Sequence, residues 1–234
     1  MSQSRFGPHL DFKYNGINSK APESTWRFCG KGITDTWARY LKNLQQTDGH
    51  WRIQAGLPPL ESSDIQGTAT AMRAIQIYGP KSKQDECRKA VQLAARWLET
   101  AQPKTTEDSA FLLLGLHWAG RNKQVMNRVA KDLIAEQRPD GGWAQLSTLA
   151  SDAYATGQAL VALSESGRLT VAAPAYQRGV QFLLNSQLAD GSWHVRTRTL
   201  PAQPYFDSDF PHGRDQFISA AATSWGTMAL AAAK

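Results

Sequence analysis

A seven-residue pattern, Gln-x-x-Asp-Gly-x-Trp, occurs three times in this chain, as Gln45 to Trp51, Gln137 to Trp143 and Gln187 to Trp193. Each copy follows an amphipathic stretch. After a connection of variable length, each precedes a stretch rich in Ala, Thr and Leu. A motif that recurs between the same two kinds of helical pattern marks an internal repeat. One helix hairpin cannot bury its own apolar face, so the repeat implies stacked hairpins sharing a core.

The first member of each hairpin reads as an outer helix: 34–46, 84–100, 123–137 and 175–186. In the second of these, Val91, Leu93, Ala94, Ala95, Trp97 and Leu98 gather on one side and Lys89, Gln92, Arg96 and Glu99 on the other, the period of a half-buried helix. The second members, 65–78, 109–119, 153–164 and 216–233, are apolar or small nearly all round and read as inner helices. Leu113, Leu160, Ala221 and Met228 should therefore be buried, and His117 should be a core histidine. Lys89, Arg96 and Lys131 should face solvent. Four outer and four inner helices side by side give an all-α, curved double layer: a partial or complete α/α toroid. The second hairpin lacks a full heptad, with Gln102-Pro103-Lys104-Thr105-Thr106 standing where one is expected.

The heptad has a structural reading. Asp-Gly makes a turn in which Gly takes a backbone conformation that a side chain would resist. The Gln can satisfy backbone groups left without partners at a helix end. The Trp then covers the junction. Residues 1–30 lack helical periodicity and hold Gly7, Pro8, Gly16 and Pro22; they read as an extended N-terminal arm ahead of a helical domain over 31–234.

The 234 residues suffice for one domain with a sizeable core, and their 41% hydrophobic and 20% charged content is that of a globular protein. A net charge of +6 gives a mild attraction to anions, but the basic residues form no run, which argues against nucleic acid. Cys29 and Cys87 match neither a zinc spacing nor a redox pair. The opening residues hold no apolar signal core and no stretch is long enough to span a membrane, so a cytoplasmic location is expected.

The heptads resemble the QW repeats of squalene-hopene and oxidosqualene cyclases, within the wider set of prenyltransferase-like α/α toroids. Residues 151–160 and 223–230 also look like inner helices of those cyclases, so the resemblance covers roughly residues 33–233, similar to the catalytic domain. It implies an apolar inner surface for an isoprenoid or similar ligand, with no cofactor. The cyclases begin their chemistry at Asp-x-Asp-Asp followed by Thr-Ala, whose central Asp protonates an alkene. Here the matching residues are Asp64-Ile65-Gln66-Gly67-Thr68-Ala69. Gln66 replaces the proton donor, and an amide cannot protonate an alkene.

An acid would then come from Asp64 or from the connection holding Asp207, Asp209 and His212. Two carboxylates beside an imidazole can share a proton there. Each inner helix also opens with an Asp: Asp64, Asp108, Asp152 and Asp215. Capping is their ordinary role, yet in a toroid all four would ring one mouth of the central cavity, joined by Glu61, Glu107 and His212. Asp108, Asp152, Tyr154, Asp215 and Trp225 are accordingly the expected ligand-binding residues, and no metal site is expected. Two functions compete: a terpene-cyclase-like protein holding an apolar ligand, and a non-catalytic toroid that binds lipid or protein, as a module of a larger protein. A homo-oligomer would complete an open ring.

Overall fold

The structure is a computed structural model that describes residues 31–54, 56–59, 61–199 and 206–233; the N-terminal arm expected over 1–30 lies outside them. Among the described residues there are eight α-helices, α1 (Lys31–Asn43), α2 (Asp64–Tyr78), α3 (Gln84–Thr100), α4 (Thr106–Trp118), α5 (Lys123–Ala135), α6 (Ala153–Glu165), α7 (Pro174–Ser186) and α8 (Gln216–Ala232), with short 3-10 turns at Lys81–Lys83 and Gly213–Asp215.

The even-numbered helices pack in chain order, α2 on α4, α4 on α6 and α6 on α8, and the odd-numbered helices lie against them. Patterning explains the division. In α4 every residue from Thr106 to Leu116 is buried, and in α6 all but a few are. In α3 only Ala90, Ala94, Ala95 and Leu98 are, on one stripe. Leu113 and Leu160 are buried as expected, and Lys89, Arg96 and Lys131 face solvent. Two expectations fail at the end of the row: Met228 is 45% exposed and Ala221 half-buried. The cause is position, since α8 is the last inner helix and only α6 packs extensively on it. His117 is exposed rather than a core residue, because the buried part of α4 ends one position earlier, at Leu116.

Each heptad Trp joins the two layers. The indole N–H of Trp51, Trp143 and Trp193 donates to the carbonyl ten residues back on the preceding outer helix, at Leu41, Leu133 and Leu183 (2.7, 2.7 and 2.9 Å). The backbone N–H of the same Trp donates to a threonine of the next inner helix, Thr68, Thr156 or Thr223. The Gln does more than cap a helix end. Gln45 Nε2 donates to Gly49 O within its own turn and, at 2.8 Å, to Ala90 O on the next outer helix, α3. Gln137 repeats this with Gly141 O and Ala175 O on α7. The Gly lies under that helix: a Cβ on Gly49 would sit 2.5 Å from the Leu93 carbonyl, and one on Gly141 would sit 2.5 Å from Arg178 O. Both glycines also have positive φ, so the turn and the close approach select the same residue.

The degenerate copy has a structural counterpart. Leu41, Leu133 and Leu183 each stand four residues before a heptad Gln, and the buried Leu98 stands four before Gln102. The Gln is kept, but α4 begins four residues later, leaving no room for the Asp-Gly turn or the Trp. Gln102 Nε2 bonds only Thr100 O. A cleft of about 730 Å³ opens there, walled by Gln102, Lys104, Arg128, Asp132, Glu136 and Arg138 among others.

Candidate functional site

The starts of α4 and α6 bring a group of polar side chains together inside the protein. Glu107 lies in the first turn of a helix that is apolar all round, so its side chain has no wet face to turn to. It is 2% exposed. Tyr154, in the first turn of α6, donates its hydroxyl to Glu107 Oε1 at 2.8 Å. Burial pushes the Glu107 carboxyl above the usual range, against the pull of Ser62, the Tyr154 hydroxyl and the Arg198 guanidinium. Burial, with the Glu107 charge beside it, also raises the Tyr154 phenol.

Asp152 stands next to this pair. One oxygen caps α6 by accepting the Ala155 N–H at 2.8 Å; the other accepts from Gln145 Nε2 at 2.7 Å. Burial raises this carboxyl too, and Arg198 again acts against the shift. Arg198 belongs to the chain that follows the third heptad, and its neighbour Thr199 donates to Pro58 O in the loop before α2. Among the described residues, six buried polar atoms here have no hydrogen-bond partner: Ser62 Oγ, Glu107 Oε2, Gln145 Oε1, both amide atoms of Gln158 and Arg198 Nε. Leaving one such group unsatisfied costs about 1–3 kcal/mol. One turn further along α4, Phe111 meets Trp225 of α8 edge-on, with centroids 5.9 Å apart.

The residues expected from sequence divide into three groups. Asp152 and Tyr154 join the buried cluster. Asp108 is adjacent, accepting the Ser63 hydroxyl at 2.5 Å and linking the start of α4 to that of α2. His212 and Asp215 form a separate group around the third turn: Ser192 Oγ and His212 Nε2 are 2.8 Å apart, His212 stacks on His194, and His194 reaches Asp215 at 2.7 Å.

The proposed acids do not assemble. The Asp64 side chain is 41% exposed, accepts the Ile53 N–H and has His50 3.8 Å away. Asp207 and Asp209 are exposed, and Asp209 N–H donates to Asp207 Oδ1. Gln66 is used structurally, accepting from Ser62 N–H and donating to Pro59 O. The idea of four capping aspartates also needs correction. Only Asp152 caps its own first turn. Ser63 caps α2; Thr105 caps α4, with Asp108 reaching back in a capping box; Asp215 turns its carboxylate to Thr197 N–H and His194.

Glu107 is among the residues expected around the mouth of a toroid, whereas Gln145, Gln158 and Arg198 are not foreseen from sequence. A lone Glu in a helix without amphipathicity was a usable signal, because such a carboxyl must be buried. Arg198 sits in an irregular connection and carried none.

No family model matches the chain. A 170-residue stretch is 26% identical to dammaradiene synthase from Dryopteris crassirhizoma, covering 66% of this chain and 19% of that protein. Over that stretch the chain is distantly similar in sequence to that synthase. It spans only that small share of the relative, and no helix among the described residues is long and apolar enough to cross a membrane.

Proposed function

We propose that this protein is terpene-cyclase-like, that its inner helices hold an isoprenoid or similar apolar ligand in a toroid-like stack, and that its acid is Glu107. The carrying observation is a carboxyl 2% exposed, pushed up by burial, with one oxygen held by the Tyr154 hydroxyl. Alkene protonation needs a desolvated acid, and burial disfavours the ionised form of Glu107. Asp64, with its half-exposed side chain and its bond to Ile53 N–H, lacks it. In this reading Tyr154 positions the Glu107 carboxyl, and Phe111 and Trp225 offer aromatic faces to positive charge developing on the ligand.

The test is product analysis after incubation with linear isoprenoids. Glu107→Gln should abolish turnover, while Asp64→Asn and Asp209→Asn should retain it. Turnover that survives Glu107→Gln would discard the assignment. The second reading, a non-catalytic binding domain, is favoured by one observation: Gln66 stands in place of the proton donor and is spent on holding a loop. Lipid binding that quenches indole fluorescence, with no turnover by the native chain, would decide for it.

A further inference from the structure

The connection from heptad to inner helix is longest in the third hairpin, 194–215 against 52–63 and 144–152. Long connections in compact domains are commonly lids or binding loops. The outgoing part of this one, 195–199, forms neither helix nor strand, and its bonds to the rest of the protein fall at its two ends. At the near end it is tied to α8. Val195 N–H donates to Ser219 Oγ at 3.0 Å and Thr197 N–H to Asp215 Oδ1 at 2.9 Å, while the preceding His194 meets the other oxygen of Asp215 at 2.7 Å. At the far end Thr199 Oγ1 donates to Pro58 O at 3.1 Å, in the loop before α2.

The segment therefore crosses from the start of α8 to the approach of α2. Between its ends, Arg198 pulls on the carboxyls of Asp152 and Glu107, at the starts of α6 and α4. The two ends are held unequally. A carboxylate acceptor makes the stronger hydrogen bond, and Asp215 supplies one at the near end; the far end has a single bond between neutral groups. Glu107, Tyr154 and Gln158 are all buried at these starts, so nothing from outside meets them unless an element moves. The starts of α4 and α6 lie on helices packed between inner neighbours on both sides. The strap is the element free to give, and it gives first at Thr199.

We propose that residues 195–199 are a lid, anchored on α8 through Asp215 and Ser219 and latched by Thr199 on the Pro58 carbonyl, whose lifting opens the path to Glu107 and Tyr154. Its use for ligand entry rests on the reading of Glu107 as the group that meets the ligand. Closing returns the Arg198 guanidinium, whose charge favours the carboxylate, and so makes Glu107 the readier proton donor over a ligand already inside.

Thiol labelling reads the path without any ligand or turnover. With Cys29→Ser and Cys87→Ser as background in the full chain, Glu107→Cys places a thiol in the enclosed position. Its reaction with 4,4′-dithiodipyridine measures how often that position opens. Labelling should be nearly indifferent to low urea, because lifting a strap exposes little surface. Adding Thr199→Val, which keeps the shape and removes the hydroxyl, should speed it about fivefold, the worth of one neutral hydrogen bond. Should Glu107→Cys not fold, Gln158→Cys gives the same reading from α6. Labelling unchanged by Thr199→Val overturns the lid, as does labelling that climbs steeply from the lowest urea, which needs global unfolding. So does no labelling, or labelling as fast as that of an exposed thiol before the latch is removed. No isoprenoid enters this assay, so turnover that survives Glu107→Gln would fault the acid and leave the lid standing.

Discussion

Trp143 shows how much one side chain can decide. It is fully buried, hydrogen-bonded through its indole to Leu133 O and through its backbone to Thr156, and touched by Gly179 of the next outer helix. Trp143→Ala should lower unfolding free energy by about 3–5 kcal/mol, the cost of emptying a large aromatic site, as measured by urea titration. A loss under 1 kcal/mol would show that the indole is no staple. Glu107 acts in the opposite sense. Its folded pKa is raised, so folding favours the protonated form; the stability it supports is complete below the unfolded carboxyl range and is lost as pH rises through the folded value. Glu107→Gln should therefore raise the melting temperature at pH 8 more than at pH 4, and equal shifts at both would remove the buried acid.

At the scale of helices, close approach is set by glycine. A Cβ on Gly157 of α6 would lie 2.7 Å from the Trp225 carbonyl carbon and 2.8 Å from Gly226 N on α8. These are backbone atoms and cannot swing away, so Gly157→Ala must push the two helices apart. Overpacking of this kind costs about 1–3 kcal/mol, and the helix propensity gained by Ala, up to about 1 kcal/mol, is too small to offset it. Chemical denaturation should report a net loss, and a stabilised variant would mean that α6 and α8 are not in contact.

The helices were the most legible feature of the sequence, because hydrophobic period separates α3 from α4 without any tertiary knowledge. Caps were less so: Ser63 and Thr105 carry α2 and α4, and a neighbouring Asp drew attention away from each. The site was the least legible. Glu107 and Tyr154 meet across 47 residues and Arg198 arrives from a later connection, so their meeting depends on how inner helices stack and on where an irregular loop crosses them.

Across the whole molecule, stability should follow neighbours. In an array each unit draws support only from the units beside it. α4 and α6 have an inner helix on both sides, α2 and α8 on one. Hydrogen exchange followed by mass spectrometry should find α4 and α6 the slowest to exchange, and α1 and the C-terminal half of α8 the fastest. Uniform protection would mean that the stack opens only as a single unit.

The shortened second turn changes the mechanics of this array. Glutamine clasps tie α1 to α3 and α5 to α7, but no clasp ties α3 to α5. The outer layer is thus two bound covers on a continuous inner spine, with a single unstitched seam along the cleft. Across that seam α3 and α5 each pack on α4, so the inner helix does the joining that a glutamine does elsewhere.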